Sequence, residues 1–202
     1  MIDPSYKQIF VHFAGYNGRT VPSLMDVESV KIQEKFQING RQMNNDIALI
    51  KLKNDIQFND EIRPICLPHE NVHDRSNLKL AFYAGFHARQ NQLPIRATKF
   101  VETKMEFVPM AKCTKFYRNF FLSYPYKLNS NMHFCAMQST EHGLPTGAVL
   151  MADNNGKLYA TGLTSFTKNK NKTVPYVLTN VNNYISWIKT NTFDGQYCDD
   201  DN

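Results

Sequence analysis

The chain has 202 residues, 42% hydrophobic and 20% charged, which is enough apolar material for one well-buried domain. Its formal charge of +5 is small, and its basic residues are scattered apart from Lys168, Lys170 and Lys172, so nucleic acid, which needs a basic stripe or patch, is not an expected partner. No apolar run approaches the roughly 18 residues of a membrane span, and Met1-Ile2-Asp3-Pro4-Ser5 has neither the basic start nor the apolar block of an export signal, so no membrane partner is expected either.

Short segments rich in β-branched and aromatic residues recur between clusters of Gly, Pro, Asn and Asp, at residues 8–13, 27–33, 47–52, 80–84 and 158–164. Their length and spacing predict an all-β fold, a barrel or a sandwich. Only two stretches read as helical. One covers residues 109–120; the other covers 180–190 and places Val181, Tyr184, Ile185 and Ile188 near one face. No internal repeat, low-complexity tract or linker divides the chain, so residues 1–202 are expected to form a single domain. The tail 191–202, ending Asp199-Asp200-Asp201-Asn202, is expected to be flexible apart from Cys198.

The four cysteines, Cys66, Cys113, Cys135 and Cys198, have no Cys-x-x-Cys pair and no Cys/His ligand spacing. Disulfides are therefore expected, with no metal and no cofactor. This favours an oxidising, secreted or extracellular setting, with which the sequon Asn171-Lys172-Thr173 is compatible as a glycosylation site.

The stretch Asn45-Asp46-Ile47-Ala48-Leu49-Ile50-Lys51-Leu52, followed by Ile62-Arg63-Pro64-Ile65-Cys66-Leu67-Pro68, closely resembles the trypsin/chymotrypsin family of serine proteases. Further similarities follow in order: Ala84-Gly85-Phe86-His87, Met132-His133-Phe134-Cys135-Ala136, Gly162-Leu163-Thr164-Ser165-Phe166 and Tyr184-Ile185-Ser186-Trp187-Ile188. The resemblance runs from about residue 8 to 190. It implies a trypsin-like double antiparallel β-barrel with a C-terminal α-helix, the site lying between the barrels and the first barrel incomplete. It also implies a disulfide between Cys113 and Cys135. In many members the cysteine corresponding to Cys66 ties the domain to an N-terminal segment; a bridge to Cys198 is an alternative that the sequence does not fix.

Acyl transfer in this family needs a serine, a histidine acting as its base, an aspartate that orients the histidine, and backbone N–H donors for the oxyanion. Asp46 matches the aspartate. None of His12, His69, His73, His87, His133 and His142 occurs in the Ala-His-Cys context that marks the base. The serine motif corresponds to Gly143-Leu144-Pro145-Thr146-Gly147-Ala148-Val149-Leu150, which contains no serine.

One register puts Pro145 at the nucleophile. The other puts Thr146 there and Leu144 at the oxyanion glycine. The second is preferred, because it sets Ala152 opposite a family cysteine whose partner falls at Ala81, so that both halves of one bridge are lost together. A threonine without a positioned base stays protonated and weak, and a substitute pair of His142 and Thr146 would have to lie within hydrogen-bond reach.

The family's substrate pocket maps onto Ser139, Thr140, Ser165, Phe166, Thr167 and Tyr176. Tyr176 stands at a wall glycine and is expected to plug the pocket, while Ser139 or Thr140 replaces the acid that selects basic side chains. Asp46 is expected to serve as a structural acid hydrogen-bonded by Ser165, since a buried charge needs partners.

The resulting expectation is a non-catalytic serine protease homologue that binds a protein, such as an extracellular protease or an immune-cascade component, as regulator, cofactor or decoy. A fragment of an ordinary endopeptidase and an extracellular structural module are the alternatives.

Overall fold

The computed structural model describes residues 9–13, 23–38, 43–60, 62–68, 80–88, 97–120, 127–138, 144–154, 156–167 and 174–198. Contacts cluster into two compact units. The first is Met1–Glu34 with Ile47–Pro64, the second Lys35–Asp46 with Ile65–Asn202. The chain passes between the units within ordinary strand and loop sequence, so composition carries no linker signal.

In the first unit, β1 (Phe10–Phe13), β2 (Ser23–Ile32) and β5 (Ala48–Leu52) form an antiparallel sheet in the order β1-β2-β5. Val30 lies opposite Ile50 and Ile32 opposite Ala48, so these side chains share one apolar face, because cross-strand partners point the same way. Exposed Lys31–Glu34 and Lys51–Glu28 pairs decorate this sheet at 3.5 and 3.4 Å.

The second unit holds the main core. Its strands are β6 (Leu80–Ala88), β7 (Ala97–Val108), β8 (His133–Gln138), β9 (Val149–Asn154), β10 (Lys157–Phe166) and β11 (Tyr176–Asn180). They close into a barrel in the order β10-β11-β8-β7-β6-β9. Closure leaves these strands no free edge, and the interior collects Ala81, Tyr83, Met105, Phe134, Ala136, Leu150, Tyr176 and Leu178. Gly162 is required there, since a Cβ on it would lie 2.4 Å from Phe134 Cζ. The short strands β3 (Gln37–Ile38) and β4 (Met43–Asn44) make a separate two-stranded ladder.

Helix α1 (Met110–Phe120) begins where the Pro109 carbonyl accepts the N–H groups of Lys112 and Cys113 at 2.9 and 3.0 Å. It turns Cys113 and Tyr117 inward, onto Cys135 and Val177. The Cys113–Cys135 disulfide ties it to β8, and the Tyr117 hydroxyl donates to the Pro175 carbonyl. At the C-terminus a 3-10 turn, Val181–Tyr184, leads into α2 (Ile185–Asn191), which buries Val181, Tyr184, Ile185 and Ile188, the face read from the sequence.

Beyond α2, Cys198 is bonded to Cys66, the alternative that the sequence left open. Tyr197 packs under Lys189 and its hydroxyl donates to the Thr192 carbonyl at 3.1 Å. Residues 199–202 lie outside the described residues.

Candidate functional site

The acid at the centre of the sequence reading is placed by its neighbour. Asn45 has φ of 54°, a left-handed conformation that asparagine tolerates better than most residues. Its side chain is held on both sides: Nδ2 donates to the Lys35 carbonyl at 2.8 Å, and Oδ1 accepts the Tyr184 hydroxyl at 3.1 Å. Asp46 follows, fixed by its backbone as well, since its carbonyl accepts the Thr179 hydroxyl at 2.9 Å.

The Asp46 carboxylate accepts the Ser165 hydroxyl at 2.5 Å. Ser165 reaches it because β10 bulges there: Thr164 pairs with Leu178 and Phe166 with Val177, leaving Ser165 as the extra residue. A bulge of this kind re-aims one side chain without ending the strand.

Pro145, Thr146, Gly147 and Ala148 form a tight turn, with the Ala148 N–H donating to the Pro145 carbonyl at 3.3 Å and φ of +80° at Gly147. Positive φ at the third position is what glycine supplies in such turns. Thr164 clamps the turn from β10. Its Oγ1 accepts the Ala148 N–H at 2.8 Å and donates to the Pro145 carbonyl, while its own carbonyl accepts the Gly147 N–H at 2.7 Å. The Thr146 side chain stands exposed, and its hydroxyl makes no hydrogen bond among the described residues.

Tyr176 is 1% exposed and belongs to the barrel core. Its hydroxyl oxygen accepts the backbone N–H of Leu144, itself buried, at 3.0 Å. Burial pushes the Tyr176 phenol above its usual range, against the Leu144 N–H, which favours phenolate. The N–H two residues before Thr146 is thus already occupied by a side chain of the same chain.

His133, for which the sequence suggested no role, is 2% exposed at the start of β8. Its Nε2–H donates to the Met43 carbonyl at 2.8 Å, and its Nδ1 accepts the Asn129 N–H at 3.2 Å. Burial holds its pKa below the usual histidine value, although the Met43 carbonyl and the nearby Asp46 charge pull the other way. Tyr184 is pushed up to about 12, chiefly by burial.

Of the expected pocket residues, Ser165, Phe166, Thr167 and Tyr176 are described. Phe166 packs edge-on against Tyr117 of α1, 5.6 Å between ring centres. Ser139, Thr140, His142 and the sequon at Asn171 lie outside the described residues, as do the side chains of His12, His69, His73 and His87. Among the described residues no group of three or more His, Cys, Asp or Glu is placed to hold a metal ion. Ala81 and Ala152, read from the sequence as the two halves of a lost bridge, are direct cross-strand partners on β6 and β9, 4% and 0% exposed.

Three features escaped the sequence reading: the clamp by Thr164, the capture of the Leu144 N–H and the burial of His133. A polar residue at the position of the valine in the family's Gly-Ile-Val-Ser-Trp strand was the one available signal, for Thr164.

The family model described as Trypsin matches residues 11–188. The chain belongs to the trypsin family. As a trypsin-family chain it is 28% identical over 179 residues to CLIP domain-containing serine protease B4 of Anopheles gambiae, covering 85% of this chain and 48% of that protein. It is 27% identical over 179 residues to Venom serine protease 34 of Apis mellifera, covering 87% and 42% respectively. Tissue-type plasminogen activator of Sus scrofa is 27% identical over 184 residues, 83% of this chain and 31% of that protein. This trypsin-family chain thus spans about half or less of the length of these relatives.

Proposed function

We propose that this trypsin-family chain is a non-catalytic protease homologue, secreted and working by binding a protein of an extracellular proteolytic or immune cascade. The observation that carries the reading is the contact between Tyr176 and Leu144. In the register with Thr146 at the nucleophile, the Leu144 N–H is the donor that would stabilise an oxyanion, and Tyr176 Oη already accepts it at 3.0 Å. Such donors contribute to catalysis only when they are free and aimed at the developing charge.

Two further features support it. The Thr146 hydroxyl has no base against it among the described residues, and the stretch Gly143-Leu144-Pro145-Thr146-Gly147-Ala148 that corresponds to the serine motif contains no serine. A fold that keeps its core while its reacting groups are replaced can still serve as a binding scaffold, because function resides in sites rather than in folds.

The relatives' names favour a second reading, an ordinary serine endopeptidase. Pro145 and Thr146 weigh against it, since supplying a histidine would not supply a serine. Incubating the purified protein with a peptide library distinguishes the two. No cleavage is expected; hydrolysis abolished by Thr146→Ala would overturn the proposal.

A further inference from the structure

We propose that the outward face of α1 binds a sulfated polysaccharide through Lys112, Lys115 and Arg118. In sequence these cations look scattered. The helix gathers them, because each step of three residues turns about 60° and advances about 4.5 Å, so all three share one side of α1. Their direction is set by the residues that point the other way. Cys113 and Tyr117 are both 0% exposed, the first bonded to Cys135 and the second donating its hydroxyl to the Pro175 carbonyl. Lys112, Lys115 and Arg118 are all exposed.

The charge on this face is not balanced among the described residues. Residues 107–140 contain Lys112, Lys115, Arg118 and Lys127 and no Asp or Glu. None of these four side chains makes an ion pair among the described residues, whereas Lys31, Lys51, Lys53 and Arg63 each meet a carboxylate within 3.5 Å. Leu128 packs on the same cluster as Cys113 and Tyr117, so its neighbour Lys127 stands close to the helix. Phe166 and Pro175 both contact Tyr117, and the sequence between them carries Lys168, Lys170 and Lys172 without an acid. Residues 107–140 and 167–174 together hold seven of the chain's 23 Lys and Arg and none of its 18 Asp and Glu, so the rest of the chain is net negative.

The chemistry of the face selects the partner. A protein partner is held mainly by aromatic or aliphatic anchors, and single-stranded nucleic acid by exposed rings on which its bases stack. The exposed residues described on α1 are Ala111, Lys112, Lys115 and Arg118, which supply neither. What they fit is a ligand held by charge alone, with anionic groups repeated along a chain. Arg118 can meet one sulfate through two N–H donors, while each lysine acts as a point charge. Because the Cys113–Cys135 bond already fixes the helix, little ordering of the backbone opposes binding. The two disulfides fit an oxidising, extracellular setting, where sulfated polysaccharides are found.

Titration calorimetry of the intact protein with a heparin oligosaccharide of defined length tests this. Binding is expected at about 50 mM salt and should weaken steeply by about 200 mM. The variant Lys112→Gln/Lys115→Gln/Arg118→Gln should lose about tenfold or more in affinity. The variant Lys31→Gln/Lys51→Gln/Lys53→Gln, which removes the same charge from the first unit, should lose less than about twofold. Desulfated oligosaccharide, polyglutamate and duplex DNA are expected to bind far more weakly than heparin. NMR of the unmodified protein gives a readout that does not depend on any variant folding, since the amide shifts that heparin moves should map to α1. Absence of heparin binding at low salt, equal losses in the two variants, polyglutamate or duplex DNA binding as tightly as heparin, or shifts that leave α1 untouched would each overturn the proposal.

Discussion

Tyr176 and Leu144 meet through one hydrogen bond that neither residue type forecasts. A tyrosine at a pocket wall could have been turned to solvent; instead its ring fills core volume and its oxygen accepts a buried N–H. Tyr176→Phe keeps the ring and removes the acceptor, so unfolding in urea is expected to show a loss of about 1–3 kcal/mol. A loss too small to measure would mean that the Leu144 N–H finds another partner.

The buried tyrosines also set a pH limit. Tyr184 ionises near 10 when unfolded but is pushed up to about 12 when folded, and Tyr83 and Tyr176 are raised in the same direction. Between pH 10 and 12 the folded state binds more protons than the unfolded, so stability declines as pH rises through that window and is unaffected below it. Denaturant midpoints from pH 9 to 12 check this. The decline should be shallower in Tyr184→Phe, even though that variant is weaker at pH 9 for want of the bond to Asn45.

Asp46 was legible because its motif is contiguous. Ser165 was legible through the family strand that carries it. The partners of His133 and Thr164 were not, because Met43 and Pro145 are distant in sequence and only the closed barrel brings them near.

At the level of elements, strand and helix signals were strongest where alternation or a 3.6 period was backed by β-branched or aromatic residues, as in β5, β10 and the C-terminal helical turn. Strand β7 alternates buried Thr103 and Met105 with exposed Glu102, Lys104 and Glu106; the charged residue at every second position breaks up its apolar residues, so it did not stand out as a β-branched and aromatic run. The bulge at Ser165 was invisible for a different reason, since a register shift exists only relative to the paired strand.

Gly162 offers a test of packing in β10. A methyl group there would enter the space of the Phe134 ring and come within 3.2 Å of Leu178 Cδ2. Gly162→Ala is therefore expected to cost about 1–3 kcal/mol by overpacking, read as a lower denaturant midpoint. If Phe134→Leu in the same background recovers part of the loss, the clash is its source.

For the molecule as a whole, the two units differ in how they manage their sheets. The second closes its strands into a barrel, whereas the first ends in β1 and β5, each with a free edge among the described strands. Ile50 is 51% and Ile32 40% exposed on the apolar face beside β5. An open edge next to exposed apolar side chains invites pairing between chains. Ile50→Lys is expected to reduce concentration-dependent association in sedimentation while leaving thermal stability close to unchanged; undiminished association would place the contact elsewhere.

The family and the all-β architecture were both readable from the sequence, because a few contiguous motifs carry them. How the chain uses that architecture depends on groups that only the fold assembles: Tyr176 on Leu144 and Thr164 on the turn around Thr146. The measurement that bears on this most directly is covalent labelling by a fluorophosphonate, which reacts with an activated hydroxyl and not with a resting one. The protein is expected to remain unlabelled at concentrations and times that label an active trypsin-family protease completely. Stoichiometric labelling at Thr146, lost in Thr146→Ala, would contradict the account.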